Sequence, residues 1–273
     1  MKRFAIGAAE AGGPRMFIIA GPCVVESADL CLEVASHLKA ACAARDLPYI
    51  FKASYRKANR SSAGSFAGLP FDQALAALAR VKREHGVPVL TDVHEPDEVR
   101  AVTEIADALQ IPAFLSRQTA LLEAAAKSGR AVNVKKGQFL APEDMAHVVG
   151  KLTGAGCERI LLTERGTTFG YHDLVVDMRA LVAMRDCGWP VVFDATHSLQ
   201  KPGGPETGGD RRFAFPLMRA AVACGIDGLF FETHPDPAHA LSDAGTQLPL
   251  EQVAAFLDEA VRVRDAVSER AHA

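Results

Sequence analysis

Short apolar runs rich in β-branched residues alternate along the chain with Ala/Leu-rich stretches whose apolar positions recur every three to four residues. The short runs predict strands over 17–21, 49–54, 87–93, 108–113, 131–136, 159–165, 191–197 and 228–234. The longer stretches predict helices over 29–45, 71–84, 96–106, 119–128, 142–153, 174–186, 212–224 and 250–267. The second of these ends with a basic turn, Lys82-Arg83-Glu84-His85, and then Gly86 as a stop. Strict strand–helix alternation implies parallel strands joined by helical crossovers, and eight such pairs suffice to close a barrel. The expected fold is α/β, a (β/α)8 TIM barrel forming a single domain over 1–273, with a short N-terminal extension. Residues 1–16 are left over and are expected to cap the barrel floor. A doubly wound open sheet is the competing arrangement. Against it, no GxGxxG follows the first strand, and polar residues stand at nearly every strand end instead of at one switch point.

Those strand ends carry the candidate chemistry. The first strand ends in Gly21-Pro22-Cys23, and the second carries Lys52 and opens into a loop with Lys57, Asn59, Arg60 and Ser61. The third ends Asp92-Val93-His94-Glu95, and the fourth holds Gln110 and runs on to Arg117. The fifth holds Lys135 and Lys136, the sixth ends Glu164-Arg165, the seventh ends Asp194-Ala195-Thr196-His197, and the eighth ends Glu232-Thr233-His234. Asp243 follows in the last loop. Charged side chains flanked by apolar strand residues are expensive unless paired or liganded. Any one of them alone fits a structural ion pair; at corresponding ends of separate strands they point to an active site.

Composition narrows the ligand. The formal net charge is −3, which draws in neither nucleic acid nor a membrane surface. A basic mouth made of Lys52, Lys57, Arg60, Arg117, Lys135 and Arg165 therefore implies a local anionic ligand, carboxylate or phosphate. A second subset, Cys23, His197, Glu232 and Asp243, has the mixed S/N/O chemistry of a borderline divalent metal site. The residues alone equally fit a buried thiol beside an ion-paired histidine. His94 and His234 are candidates for supporting positions. The six cysteines form no CxxC pair, so reduced thiols and a cytoplasmic protein are expected. No apolar run approaches the roughly 18 residues of a membrane span, and Glu10 and Gly12–Gly13 interrupt the apolar N-terminal stretch.

The segments IAGPCVVES, FKASYRKANRSS, IPAFLSRQT, NVKKGQF, LTERGTTFGY, FDATHSLQ and ETHPDPAHALSDAGTQLPL, running from residue 19 to residue 250, closely resemble those of the 3-deoxy-D-manno-octulosonate 8-phosphate synthase family. The resemblance implies a (β/α)8 barrel, a homotetramer, that condenses phosphoenolpyruvate with D-arabinose 5-phosphate and releases phosphate for lipopolysaccharide biosynthesis. Carried over, Lys52, Lys135 and Arg165 form the phosphoenolpyruvate clamp. Lys57, Asn59, Arg60 and Ser61 grip the sugar phosphate, with Gln110 among the substrate contacts, and Arg117 reaches that phosphate from a neighbouring subunit. Cys23 marks the metal-dependent branch, so Cys23, His197, Glu232 and Asp243 become the expected ligands of a divalent metal such as Zn, Fe or Mn. Lys52, Lys135, His197 and Asp243 are the expected catalytic residues. One departure stands out: the family commonly has an acidic residue before KANR, where this chain has Arg56.

Two other readings remain. The 3-deoxy-D-arabino-heptulosonate 7-phosphate synthases share barrel, phosphoenolpyruvate and metal, but typically read KPRTS where this chain reads KANRSS. A non-catalytic barrel that senses a metal or an anion is the reading from a different class.

Overall fold

The computed structural model describes residues 1–58, 64, 66–203 and 208–270, with side chains described up to residue 268. Eight parallel strands form the barrel: β1 (Phe17–Gly21), β2 (Tyr49–Lys52), β3 (Val89–Asp92), β4 (Ala108–Ile111), β5 (Ala131–Lys135), β6 (Ile160–Glu164), β7 (Val191–Asp194) and β8 (Gly228–His234). Each pairs with the next, and β8 pairs back onto β1 with Gly228 opposite Phe17, so the sheet closes. A ninth strand, Leu248–Pro249, adds to the end of β8. The helices are α1 (Ala28–Ala43), α2 (Phe71–His85), α3 (Glu98–Thr103), α4 (Thr119–Lys127), α5 (Met145–Gly154), α6 (Arg179–Arg185), α7 (Ala214–Ala223) and α8 (Val253–Arg270). The barrel rather than the open sheet is therefore the fold.

Local chemistry sets the boundaries. Ser27 caps α1 by accepting the Leu30 N–H at 3.1 Å, and Cys31, Val34, Ala35, Leu38 and Cys42 form its buried stripe. Gly86 ends α2 in the left-handed region at φ +63°, where its N–H reaches the Lys82 carbonyl. Helices α3 and α6 are shorter than the periodicity predicts, and α8 runs a little further. Two short hairpins, Thr167–Thr168 with Leu174–Val175 and Gln200–Lys201 with Gly208–Gly209, were not expected, because two-residue strands leave no periodic signal.

The pleat sorts each strand into two faces. Ile18, Phe51, Val89, Leu109, Val132, Leu162, Phe193 and Phe231 pack outward against the helices. Phe17, Ile19, Ile50, Leu90, Ala108, Ala131, Leu161, Val192 and Phe230 fill the N-terminal half of the barrel interior. An N-terminal hairpin, Phe4–Ile6 with Ala9–Ala11, packs Ile6, Ala9 and Ala11 onto that interior layer. The C-terminal half of the interior is polar. Gly21 belongs there for a steric reason: a Cβ on it would run into the Lys52 carbonyl of the adjacent strand.

Candidate active site

Polar side chains at the C-terminal strand ends form a hydrogen-bonded belt around the inside of the barrel. Asp92 takes hydrogen bonds from Ser54 and from Gln110. Asn133 donates to Gln110 at 2.9 Å, and Thr163 donates to Asn133 at 2.6 Å. These groups are buried and paired, which removes the penalty of placing them inside.

Above the belt lie the charged pairs. Lys52 Nζ stands 2.7 Å from Glu232 Oε1, 3.1 Å from Ser54 Oγ and 3.2 Å from the Cys23 carbonyl, so all three of its protons have acceptors. Lys135 pairs with Asp194, whose Oδ2 also lies 2.8 Å from His197 Nδ1. The other Asp194 oxygen accepts the backbone N–H groups of Thr196 and His197, which turns the chain so that His197 points back into the barrel. Both lysines flank the Phe230 ring, at 5.5 Å and 3.5 Å from its centroid. Burial pushes the Lys135 ammonium below its ordinary pKa, with Lys52 adding to the effect against the pull of Asp194. Burial also opposes ionisation of Asp194, but His197 and Lys135 outweigh it and hold the carboxyl well below its usual range.

Cys23, Glu232 and Asp243 come together next to these pairs, with ligand atoms within 4.8 Å of one another. Cys23 Sγ lies 2.9 Å from Asp243 Oδ2 and 2.9 Å from Ser242 Oγ. His197 Nε2 faces the cluster, 3.7 Å from Glu232 Oε2 and 3.8 Å from Asp243 Oδ2. Asp243 is held in the left-handed region at φ +48° by a turn whose Thr246 and Gln247 N–H groups return to its carbonyl. Aspartate tolerates this conformation better than most residues, and the turn holds the Asp243 carboxylate toward Cys23. Burial pushes the Cys23 thiol well above its ordinary pKa, and the Asp243 and Glu232 charges push it further. Glu232 is held down, because Lys52, His197, Lys57 and Lys135 outweigh the burial that raises it.

Among the described residues, the buried atoms without a hydrogen-bond partner include two on charged groups of this site: Glu232 Oε2, an acceptor, and Arg165 Nη1, a donor. The first fits a metal held by the thiolate, imidazole and carboxylates around it; the second fits an anion. The set suits a borderline divalent cation better than magnesium or calcium.

The strand ends open onto a cavity of about 790 Å³, lined by Lys52, Lys57, Asp92, His94, Gln110, Lys135, Arg165, His197 and Asp243. Of the sequence-predicted residues, these nine therefore share one wall or another of it, with Cys23 and Glu232 buried behind. Arg117 is exposed and is not part of the lining. Asn59, Arg60 and Ser61 lie outside the described residues. Asp194, one of the strand-end acids, is assigned no role by the sequence pattern, and two further residues, Gln200 and Gln138, carry no sequence signal of their own. Gln200 links Arg165, whose Nη2 donates to it at 2.5 Å, to Asp243 Oδ1 at 3.0 Å. Gln138 follows the Lys135-Lys136 pair by two positions and also lines the cavity. Arg56 does not point free into solvent: it forms a 2.6 Å ion pair with Glu98.

Residues 4–269 match the model of the DAHP synthetase I family. The chain is 52% identical over 259 residues to the 2-dehydro-3-deoxyphosphooctonate aldolase of Trichlorobacter lovleyi, covering 94% of this chain and 95% of that one. It is 52% identical over 270 residues to the protein of the same name from Koribacter versatilis, 97% of each. For that of Aromatoleum aromaticum the identity is 56% over 245 residues, 88% of each. With its barrel and its cationic mouth, the chain belongs to the DAHP synthetase I family, among the proteins named 2-dehydro-3-deoxyphosphooctonate aldolase.

Proposed function

We propose that this cavity condenses phosphoenolpyruvate with D-arabinose 5-phosphate to give 3-deoxy-D-manno-octulosonate 8-phosphate and inorganic phosphate. The reading is supported by relatives that carry the octonate name over nearly the whole chain. The observation that carries it is the convergence of Lys52, Lys57, Lys135 and Arg165 on one cavity, beside the cluster of Cys23, Glu232 and Asp243.

The chemistry needs cations fixed in advance. The two substrates bring two phosphates and a carboxylate, which repel each other; Lys135 and Arg165, with Lys52 behind them, offset that repulsion and hold the carbons within attack distance. Lys57 and the KANRSS loop, with Asn59, Arg60 and Ser61, are assigned to the sugar phosphate. C3 of the enol attacks the aldehyde C1 of the open-chain pentose, water adds at C2, and the resulting hemiketal phosphate collapses by C–O cleavage. Asp194 keeps the Lys135 proton and the His197 ring in place during this sequence, and Asp243 and His197 are assigned to the aldehyde oxygen and the water. A divalent metal held by Cys23, His197, Glu232 and Asp243 would orient the aldehyde and acidify a bound water.

The reading extends to a homotetramer in which exposed Arg117, two positions beyond the cavity-lining Leu115, reaches a neighbour's sugar-phosphate site. A cytoplasmic setting in lipopolysaccharide biosynthesis accords with the phosphorylated substrates and with six free thiols. Among the described residues no helix is long and apolar enough to cross a membrane. The test is phosphate release from phosphoenolpyruvate with arabinose 5-phosphate or erythrose 4-phosphate, each with and without a strong chelator. Arabinose-dependent release that chelator abolishes and a divalent metal restores is the expected result. Erythrose preference would overturn the sugar assignment, and chelator-insensitive turnover would reduce Cys23 to a structural thiol.

A further inference from the structure

The cavity wall next to Lys57 holds an arrangement that the condensation chemistry leaves unused. Tyr55, fully buried just past β2, has its hydroxyl 2.5 Å from Glu98 Oε2 and 3.0 Å from His94 Nδ1. Glu98 Oε2 also accepts the backbone N–H groups of His94 and Glu95, each at 3.1 Å, while Oε1 meets the Arg56 guanidinium at 2.6 Å. Edge-on packing of the Tyr55 ring against His94, 5.3 Å between centroids, and against Phe71, 5.2 Å, fixes the rings relative to one another.

The proton positions follow from counting donors and acceptors. A carboxyl that collects this many donors is ionised; burial opposes this, but Tyr55, the two amides and Arg56 hold Glu98 below its ordinary pKa. A carboxylate only accepts, so the single Tyr55 hydroxyl proton is directed to Glu98. The Tyr55 oxygen then has only lone pairs left for His94, and the proton on that ring must sit on Nδ1. Burial keeps the ring neutral, helped by Arg56 and Lys57 against the opposing pull of Asp92 and Glu98. A neutral ring protonated on Nδ1 has a bare Nε2. His94 lines the cavity, and Nε2 has no hydrogen bond among the described residues.

We propose that Glu98 and Tyr55 are positioning residues that hold His94 in the Nδ1–H tautomer, so that its Nε2 is offered to the cavity as a neutral acceptor for a hydroxyl of the pentose phosphate. The choice between the two substrates is chemical. Ionised phosphoenolpyruvate presents only oxygen acceptors, which a bare ring nitrogen does not bind, whereas the pentose carries O–H donors. Arg56 belongs to the same device: it compensates the Glu98 charge and ties the start of the sugar-phosphate loop to the N-terminus of α3. The sugar assignment rests on the functional reading above; the tautomer does not.

Long-range proton–nitrogen NMR of the full-length protein labelled with ¹⁵N-histidine tests it, with the His94 signals identified by their loss in His94→Gln. The expected spectrum at mildly alkaline pH shows a protonated, pyrrole-type Nδ1 and a bare, pyridine-type Nε2. In Tyr55→Phe the ring is expected to move toward the Nε2–H form that an unconstrained histidine side chain prefers. With it, KM for arabinose 5-phosphate should rise roughly three- to tenfold, the worth of one hydrogen bond, while KM for phosphoenolpyruvate stays within about twofold. A pyrrole-type Nε2 in the unsubstituted protein overturns the proposal without any variant being made. An unchanged arabinose 5-phosphate KM in a folded Tyr55→Phe whose tautomer has shifted overturns the sugar assignment. Absence of arabinose-dependent phosphate release by the unsubstituted protein overturns the functional reading and the sugar assignment together, while the tautomer stands or falls on the spectrum.

Discussion

Lys52 and Glu232, 180 positions apart in the chain, form a 2.7 Å ion pair inside the barrel with both side chains withdrawn from solvent. Barrel closure makes the contact, since β8 pairs back onto β1 and β1 onto β2. Two buried charges cost several kcal/mol each to desolvate, which the pair repays only while both partners are present.

Removing one partner should therefore be worse than removing both. Lys52→Met is expected to lower the unfolding free energy by about 3–5 kcal/mol, the cost of an uncompensated buried carboxylate. Lys52→Met combined with Glu232→Gln should recover much of that stability and none of the activity. Urea unfolding followed by circular dichroism, beside a phosphate-release assay, measures both. Equal destabilisation in the single and double variants would show that the pair is not the cause.

The raised Cys23 thiol predicts how metal uptake depends on pH. A thiol must lose its proton to ligate, and burial with Asp243 and Glu232 nearby makes that loss unfavourable in the metal-free protein. Metal binding should release protons, and affinity should rise with pH across the neutral range, by about tenfold per unit if one proton leaves. Calorimetry in buffers of different ionisation enthalpy counts the protons. Cys23→Ser should weaken zinc binding and abolish the thiolate-to-cobalt charge-transfer band; a band that survives would remove Cys23 from the ligand set.

Acid should unfold the protein through its buried carboxylates. Asp194 and Glu232 have folded pKa values below their unfolded ones, so their contribution is present above the unfolded values of about 4 and is lost as pH falls toward the folded ones. Stability should decline below about pH 4, where the unfolded chain binds more protons than the folded one. Asp194→Asn should be less stable at neutral pH and show a flatter decline. Denaturant midpoints measured from pH 3 to pH 7 test the slope; parallel curves for the two proteins would exclude Asp194 as a source.

Gln200 connects the anion-binding and metal-binding halves of the cavity through Arg165 and Asp243. Gln200→Ala is expected to raise KM for phosphoenolpyruvate by roughly three- to tenfold, one hydrogen bond to a charged group being lost on each side. Gln200→Glu should be more harmful, because it sets a carboxylate beside Asp243. Steady-state kinetics with each substrate varied in turn separates the effects, and equal KM values in all three proteins would mean that Arg165 needs no such support.

The alternation of short apolar runs with helical stretches determined a parallel α/β architecture, and the spread of polar residues over nearly every strand end selected the closed barrel over an open sheet. In the closed barrel the period of two puts Lys52, Gln110 and Lys135 on the inner face and Phe51, Leu109 and Val134 on the outer one. Local pattern reached no further, because the choice of ionic partner depends on distances that only closure creates. Lys52 meets Glu232 and Lys135 meets Asp194, so each lysine is held by an acidic partner, while Arg165 keeps a donor without one among the described residues. Asp194 looked like one acid among several at the strand ends until the turn into His197 gave it two partners at once, Lys135 and His197. Arg56 was legible as an extra charge beside the sugar-phosphate loop, but its partner Glu98 lies on the next helix around the barrel. Residue type and spacing are properties of the chain; which charge compensates which is a property of the packed interior, where low dielectric makes each pairing decisive.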